Sequence, residues 1–392
     1  MSDKISIKEL LEGVEVEWIT LGNEDFVEVA NSGRKPVKAS LRVSGENPYY
    51  GANNIQDYVC GYTHDGIYVL IAEDGSASLE NYSIQYTKGK FWANNHVHVI
   101  RGKEKLNTRF LYHYLSIVNF MPYLTGGGRA KLTKGRMLEI SIPIPPQNIQ
   151  NEIVRILDNF TELTAELTAE LTARKKQYTY YRDKLLTFED GEVEFKTLGE
   201  IGEFIRGSGL QKSDFTETGF PAIHYGQIYT YYGHFTDKTK TFVSYELSTK
   251  LKKAKKNDLI IATTSENIED VCKPLVWLGD DEVCVSGETY IFRHNQNAKY
   301  IAYYLQMPIF FDYKKLNRTG TKVIRVHGDK LSKFRIPIPP LKEQERIVSI
   351  LDKFDTLTNS ISEGLPKEIE LRQKQYEYYR DLLLTFPKKA EI

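Results

Sequence analysis

Two short segments carry the residues best suited to hold a phosphodiester backbone. Thr125-Gly126-Gly127-Gly128-Arg129-Ala130-Lys131-Leu132 sets three glycines beside Arg129, Lys131 and, just beyond, Lys134. Thr319-Gly320-Thr321-Lys322-Val323-Ile324-Arg325-Val326 sets a glycine between Arg318 and Lys322. Glycine lets backbone N–H groups approach an anion closely because no Cβ stands in the way, and the neighbouring cations neutralise it. Thr125, Gly127, Arg129, Lys131 and Lys134 are therefore candidate phosphate contacts in the first segment, and Arg318, Thr319, Thr321, Lys322 and Arg325 in the second. Either segment alone reads equally well as a solvated turn; glycine and cations at matching places in both favour the phosphate.

Reading bases needs side chains that offer a donor and an acceptor side by side, or the forked guanidinium of arginine. Asn53, Asn54, Asn94 and Asn95 are candidates in the first half of the chain. Gln227, Asn267, Arg318 and Arg325 are candidates in the second, with Tyr225 beside Gln227 as a further contact and Lys252, Lys253, Lys255 and Lys256 as a separate basic run. Each asparagine is also a good turn former, so both roles stand open.

Catalytic chemistry finds less support. Asn47-Pro48-Tyr49-Tyr50 echoes the Asn-Pro-Pro-Tyr loop with which adenine methyltransferases hold a flipped base. The second proline is missing, however, and no glycine-rich strand-to-helix loop for a methyl donor accompanies it. There is no Walker-type phosphate loop and no nuclease-like carboxylate cluster. Cys60, Cys272 and Cys284 form no CxxC pair, so they are expected as small buried apolar side chains, with neither disulfides nor zinc. His96, His98, His224 and His327 are expected as hydrogen-bonded structural or contact residues and not as metal ligands.

Charge must be judged by its distribution. The 52 basic and 52 acidic residues cancel, which on the sum argues against a nucleic-acid partner. Yet Lys314, Lys315, Arg318, Lys322, Arg325, Lys330, Lys333 and Arg335 surround a single acid, Asp329, and Tyr123–Arg136 contains no acid at all. No stretch approaches the roughly 18 apolar residues of a membrane span, and Met1–Leu11 lacks the apolar centre of a signal peptide. A cytoplasmic protein without membrane contact is expected.

The elements that must position these segments are announced by an internal repeat. Ile140-Ser141-Ile142-Pro143-Ile144-Pro145-Pro146 recurs as Phe334-Arg335-Ile336-Pro337-Ile338-Pro339-Pro340. Each copy runs into a helical pattern, Gln150-Asn151-Glu152-Ile153-Val154-Arg155-Ile156-Leu157-Asp158 and Gln344-Glu345-Arg346-Ile347-Val348-Ser349-Ile350-Leu351-Asp352, and each closes on Tyr-Tyr-Arg-Asp and Leu-Leu-Thr-Phe. Gly13–Gly22 and Gly191–Gly199 form a third match. Prolines 146 and 340 suit a helix's first turn, and the Ile-Pro alternation before them favours extended chain. The second helix carries four extra residues near Gly364-Leu365-Pro366, where a proline predicts a kink or break.

Apolar residues at three- and four-residue steps paint a stripe on each helix. Ile153, Leu157, Phe160, Leu167 and Leu171 on one, and Ile347, Leu351, Phe354, Leu357 and Ile361 on the other, are expected to pair as an antiparallel coiled coil. Thr-Ala-Glu-Leu occurs at Thr164–Leu167 and again at Thr168–Leu171. Tyr178, Tyr181, Tyr376 and Tyr379 exceed one stripe and are expected to dock another protein, end-packing on the globular regions being the alternative. The fold class is α+β: two mixed α/β heads separated by two long helices, pseudo-twofold and circularly arranged.

Two variable regions alternating with two repeated helices, Ile-Pro-Ile-Pro-Pro entries, the Thr-Ala-Glu-Leu repeat and the Tyr-Tyr-Arg-Asp helix ends together resemble the specificity subunits of type I restriction-modification systems, in particular the IC group. The resemblance covers the whole chain and is most specific in the Thr-Ala-Glu-Leu run. It implies a helix end at residues 1–14, target-recognition domains at 15–142 and 195–336, and conserved helical regions at 143–194 and 337–392. It also implies a non-catalytic subunit that reads a bipartite site in double-stranded DNA and holds two modification subunits, with restriction subunits joining them. S-adenosylmethionine, ATP and Mg would then belong to those partners, none being bound by this chain. The rival is a two-headed scaffold that binds proteins across a coiled-coil spacer, and salt dependence of binding separates the two.

Overall fold

The computed structural model describes residues 10–126, 130–189, 191–360 and 363–387. Gly127, Arg129 and Ile361 lie outside the described residues.

The first head opens with β1 (Glu17–Thr20), β2 (Val27–Val29), β3 (Ser44–Gly51), β4 (Asn54–Val59), β5 (His64–Ala72), β6 (Ile84–Ala93) and β7 (Val97–Gly102). Helix α1 (Thr108–Leu115) and β8 (Ser141–Ile144) follow. Six of the strands form one sheet in the order β2-β7-β5-β6-β3-β4, antiparallel throughout except at β3 beside β6. The apolar run of β5 is buried on both faces. Val69 and Ile71 pack with Phe110 and Leu111 of α1, while Tyr68 and Leu70 pack with Phe91, Val97 and Val99 on the other side. Strand side chains alternate between faces, so a continuous apolar run marks a strand covered twice.

The forty-residue helix α2 (Gln147–Leu186) comes next. At about 1.5 Å per residue it is roughly 60 Å long. The second head supplies β9 (Glu194–Thr197), β10 (Gly202–Arg206), β11 (Phe220–Ile223), β12 (Phe235–Thr236), β13 (Thr241–Val243), β14 (Lys253–Ala254), β15 (Leu259–Ala262), β16 (Thr264–Ser265), β17 (Lys273–Trp277), β18 (Val283–Val285) and β19 (Thr289–His294). Helix α3 (Ala298–Tyr304), β20 (Ile324–Arg325), β21 (Arg335–Ile338), α4 (Leu341–Asn359) and α5 (Gly364–Leu384) complete the chain. Its five-stranded sheet runs β10-β19-β15-β17-β12, and a four-stranded sheet runs β13-β11-β18-β14. The series β2-β7-β5-β6 in the first head and β10-β19-β15-β17 in the second are both antiparallel. They are one scaffold used twice.

The third sequence match is explained by strand pairing. β1 pairs with β8 so that Glu17 faces Ile144, and β9 pairs with β21 so that Glu194 faces Ile338. The prolines are tolerated because each pair is an isolated two-stranded ribbon whose outer edge needs no donor. Directly after the ribbons the carbonyls of Pro146 and Pro340 accept the first helical N–H groups, from Gln150 at 3.0 Å and Gln344 at 3.1 Å.

The chain divides into two compact units, residues 1–166 with 370–392, and residues 167–369. In the first unit Ile149, Ile153 and Leu157 of α2 are buried among first-head residues together with Leu383, Leu384 and Phe386, and Phe160 stacks on Tyr379. In the second, Ile347 and Leu351 of α4 share a core with Tyr178 and Leu186, while Tyr181 stacks on Phe354. The stripe is thus buried where it meets a head, each large side chain contributing about 1.5–3 kcal/mol there. Leu167, Leu171 and Leu357 are only half-buried.

The break expected near Gly364-Leu365-Pro366 is present: α4 ends at Asn359 and α5 begins at Gly364, with Pro366 in its first turn where a missing N–H costs nothing. Three other expectations need correction. Tyr178 is 7% exposed and donates its hydroxyl to Gln306, so it is unavailable for docking; Tyr376 and Tyr379 pack within the chain as well, whereas Tyr181 stacks on Phe354 and stays exposed. Tyr180 and Tyr378, beside these clusters, also face outward. Cys60 is exposed, while Cys272 and Cys284 are buried thiols. Finally, Lys314 of the basic run points inward and donates to the carbonyls of Glu269 and Val271, because a buried ammonium must satisfy its donors inside the protein.

Candidate nucleic-acid interface

The two glycine segments fold into the same device. In the first head Thr125 and Lys131 exchange both backbone hydrogen bonds, at 2.9 and 2.8 Å. In the second, Thr319 and Arg325 do so at 2.8 and 2.9 Å. Each threonine hydroxyl also donates to the carbonyl across the loop, Thr125 to Lys131 and Thr319 to Arg325. Gly126 and Gly320 both take φ +83, a left-handed turn that other residues adopt only with strain. Immediately beyond, Leu132 and Val326 plug the core at 0% and 1% exposure. Short helices follow at Lys134–Leu138 and Gly328–Leu331, leading into β8 and β21. A constant offset of 194 residues relates every one of these pairs.

The described residues of both loops are exposed above buried footings. Thr125, Lys134, Thr319, Gly320, Thr321, Lys322 and Arg325 are exposed, as is Arg318 at the end of the preceding helix. In each head an apolar anchor and a closed pair of hydrogen bonds therefore fix the two ends of the loop and the cation at its foot, Lys131 or Arg325, which is what a phosphate cradle requires of its base.

The foot cations are held by carboxylates. Lys131 Nζ lies 3.0 Å from Glu73, which also takes Arg34 at 2.6 Å. Burial would raise the Glu73 carboxyl, but the hydrogen bonds from Arg34 and Lys131 outweigh it and hold the group below the usual carboxylate range. Arg325 lies 3.2 Å from Glu288, whose carboxylate also accepts the Thr264 hydroxyl at 2.6 Å.

Most of the proposed base readers are engaged in local structure. Asn53 donates to the Gly75 carbonyl and accepts from Ala77, tying down a turn. Asn54 sits at φ 149 and accepts from Ile55. Asn94 is buried and accepts from His96, whereas Asn95 is exposed. Gln227 caps a helix by accepting the His224 N–H and bonding Thr241, and the half-buried Tyr225 donates its backbone N–H to Ser286. Asn267 closes a turn on Asp270 through both ends of its amide. In the lysine run Lys255 and Lys256 face Glu282 and Asp280 at 3.7 and 2.6 Å, and Lys253 lies over the Phe220 ring. The buried His98 bonds the Leu132 carbonyl at 2.7 Å and so supports the first loop from below.

Sequence reasoning missed the joints between heads and helices. Gln150 and Gln344, both fully buried, each accept the backbone N–H that opens a head helix, from Asn107 at 2.8 Å and Asn297 at 3.0 Å. Each also donates to a proline carbonyl, Pro145 or Pro339, at 2.8 Å. About two turns further on, Asp158 accepts from Arg109 and His113 at 2.7 and 2.8 Å, and Asp352 accepts from Lys299 and Tyr303 at 2.6 and 2.7 Å. The available signal was a glutamine and an aspartate kept at the same place in both copies of an otherwise apolar helical face.

Comparison with known proteins places this arrangement. The family profile described as the type I restriction modification DNA specificity domain matches residues 15–174 and 190–371. A Haemophilus influenzae protein assigned as a type I restriction enzyme specificity subunit is 48% identical over 98% of this chain and 99% of its own length. The EcoR124I/EcoR124II specificity subunit of Escherichia coli is 37% identical over the full length of both. The crystal structure of the S subunit of the type I restriction-modification system from M. genitalium superposes with a TM-score of 0.63 at 15% identity, covering 96% of this chain and 98% of that one; the likeness is in the fold.

Proposed function

The chain belongs to the type I restriction-modification DNA specificity family, and from that membership we propose that its two heads read the two halves of a bipartite site in double-stranded DNA. Sequence-specific DNA recognition is the role of this family, and its members are non-catalytic subunits that assemble with methylase and restriction subunits. The finer assignment is our own. Residues 15–142 and 195–336 act as target-recognition domains, residues 1–14, 143–194 and 337–392 as the helical frame, and the frame holds two modification subunits. Those partners supply S-adenosylmethionine for adenine methylation, and restriction subunits use ATP and Mg. The Thr-Ala-Glu-Leu run supports membership of the IC group.

The duplicated loop carries this reading: the same hydrogen-bonded closure, the same φ +83 glycine and a cation at the closing position, Lys131 or Arg325, occur in both heads. A phosphate-facing device used once per head is what two independent half-site readers need. Among the described residues no helix is long and apolar enough to cross a membrane; a DNA-reading role is in keeping with the cytoplasm.

Exchanging residues 195–336 for the corresponding head of a relative, and mapping methylated adenines in a host that carries the modification partner, tests the reading. One half of the recognised sequence should change while the other is retained; simultaneous change of both would refute independent readers. A protein-binding scaffold would instead show binding indifferent to salt, whereas DNA binding must weaken steeply as salt rises.

A further inference from the structure

The carboxylates at the feet of the two loops come from different places in the repeated scaffold. Glu73 follows β5 and Glu288 precedes β19. The corresponding positions can be matched through the backbone. Glu73 donates its N–H to the His96 carbonyl at 2.8 Å, and Thr263 donates to the Glu288 carbonyl at 3.0 Å. Leu132 donates to the Glu73 carbonyl and Val326 to that of Thr263, at 2.7 and 3.2 Å. Position 73 therefore corresponds to 263, and 96 to 288. In the first head the pair is Glu73 with His96; in the second it is Thr263 with Glu288. The acid has changed strands, yet it reaches the same foot cation, Lys131 in one head and Arg325 in the other.

A carboxylate beside a phosphate-binding loop works against the loop's affinity, since it cancels charge that would otherwise neutralise DNA. Its presence in both heads by two different routes calls for a role that offsets that cost. The cation it holds is the residue that closes the loop. Fixing that side chain keeps the ammonium or guanidinium from wandering onto phosphates of any sequence and sets the direction in which the loop leaves the sheet. Contacts made by unconstrained cations are insensitive to sequence, whereas contacts from a fixed register discriminate.

We propose that Glu73 and Glu288 are specificity-determining positioning residues, each anchoring the foot cation of its loop so that the loop engages one half-site in a single register. The inference rests on the reading of the loops as DNA contacts given above.

The test uses the full chain in complex with its modification subunits. Mapping methylated adenines for the unaltered complex comes first; absence of a bipartite site would sink the underlying reading, whatever the variants do. With the site known, binding to a target duplex and to an unrelated duplex of equal length gives a discrimination ratio. Glu73→Thr should lower that ratio about tenfold, the cost of roughly one good base contact, tighten binding to the unrelated duplex, and relax methylation only at the half-site read by the first head. The transplant Glu73→Thr/Asp74→Thr/His96→Glu, which rebuilds the second head's arrangement in the first, should restore the ratio. Glu288→Gln, at a carboxylate that among the described residues meets Thr264 and Arg325, should relax the other half-site and tests the idea with little risk to folding. An unchanged ratio in Glu288→Gln, or a transplant no better than Glu73→Thr alone, would overturn the proposal.

Discussion

Gln150 accepts the backbone N–H of Asn107 at 2.8 Å, so the residue that caps the start of a head helix is held by a side chain from the long helix beneath it. The second head repeats the arrangement with Gln344 and Asn297. Because both glutamines are fully buried, each joint is a polar connection inside an apolar core, where an unmade hydrogen bond is expensive. On the proposed reading, in which the loops face DNA, holding them in register needs such a connection between head and frame.

Removing it should be costly. Gln150→Ala leaves the Asn107 N–H and the Pro145 carbonyl unsatisfied, and about 1–3 kcal/mol of stability should be lost, as for other buried groups deprived of a partner. Gln344→Ala should behave alike. Denaturant titration of the assembled complex measures both; a loss below about half a kcal/mol, the level of an ordinary surface change, would show that water replaces the amide.

The second joint differs between heads in a titratable way. Burial holds the His113 imidazole below its ordinary value of 6.5, against the opposing pull of the hydrogen bond to Asp158 and with Arg109 adding to the depression. The unfolded chain takes up this proton near 6.5 and the folded one resists it, so this contribution to stability is present above 6.5 and is lost as pH falls below it. His113→Tyr installs the second head's hydroxyl donor, which there meets Asp352 at 2.7 Å. The variant should show a shallower loss of stability than the parent between about pH 7.5 and pH 5.5, the range in which an imidazole takes up its proton. His98 and His294, also depressed by burial, act equally in both proteins and cancel from the comparison. Parallel stability curves would refute the assignment.

Exposed loop cations and ion-paired lysines should separate in salt titrations of DNA binding. Lys134→Ala and Lys322→Ala should each weaken binding and reduce the slope of log affinity against log salt by about one. Lys255→Ala and Lys256→Ala remove charges already compensated by Glu282 and Asp280 and should change the slope less. Equal effects from all four would place the lysine run on the DNA.

Gly320→Ala probes the loop backbone itself. The residue sits at φ +83, and an added Cβ would stand 2.0 Å from the Val323 carbonyl oxygen, so the turn must open. The cost, about 1 kcal/mol or more, falls on an exposed loop. Global melting should therefore stay near the parent's while methylation of the second head's half-site collapses; retention of that half-site would show that the turn is dispensable.

Adding one further Thr-Ala-Glu-Leu after Leu171 lengthens α2 by about 6 Å. If the helical frame sets the unread gap, methylome mapping should return the same two half-sites with a wider spacer. Altered half-site bases would instead tie the helix to base recognition.

The amino-acid sequence by itself determined the periodic and the repeated. Apolar spacing announced the long helix, and the 194-residue offset linked Thr125 to Thr319 before any strand was placed. These are local signals, written in residues that are neighbours along the chain. Only the tertiary structure decided which polar groups are spent on folding and which are left for a partner. Asn53 is consumed by Gly75 and Ala77, Gln227 by His224 and Thr241, and Tyr178 by the core, whereas Glu73 reaches Lys131 across 58 positions and Glu288 reaches Arg325 from a different strand. A side chain's availability depends on what the fold brings beside it, and sheets and helix joints bring together residues whose separation in sequence carries no pattern.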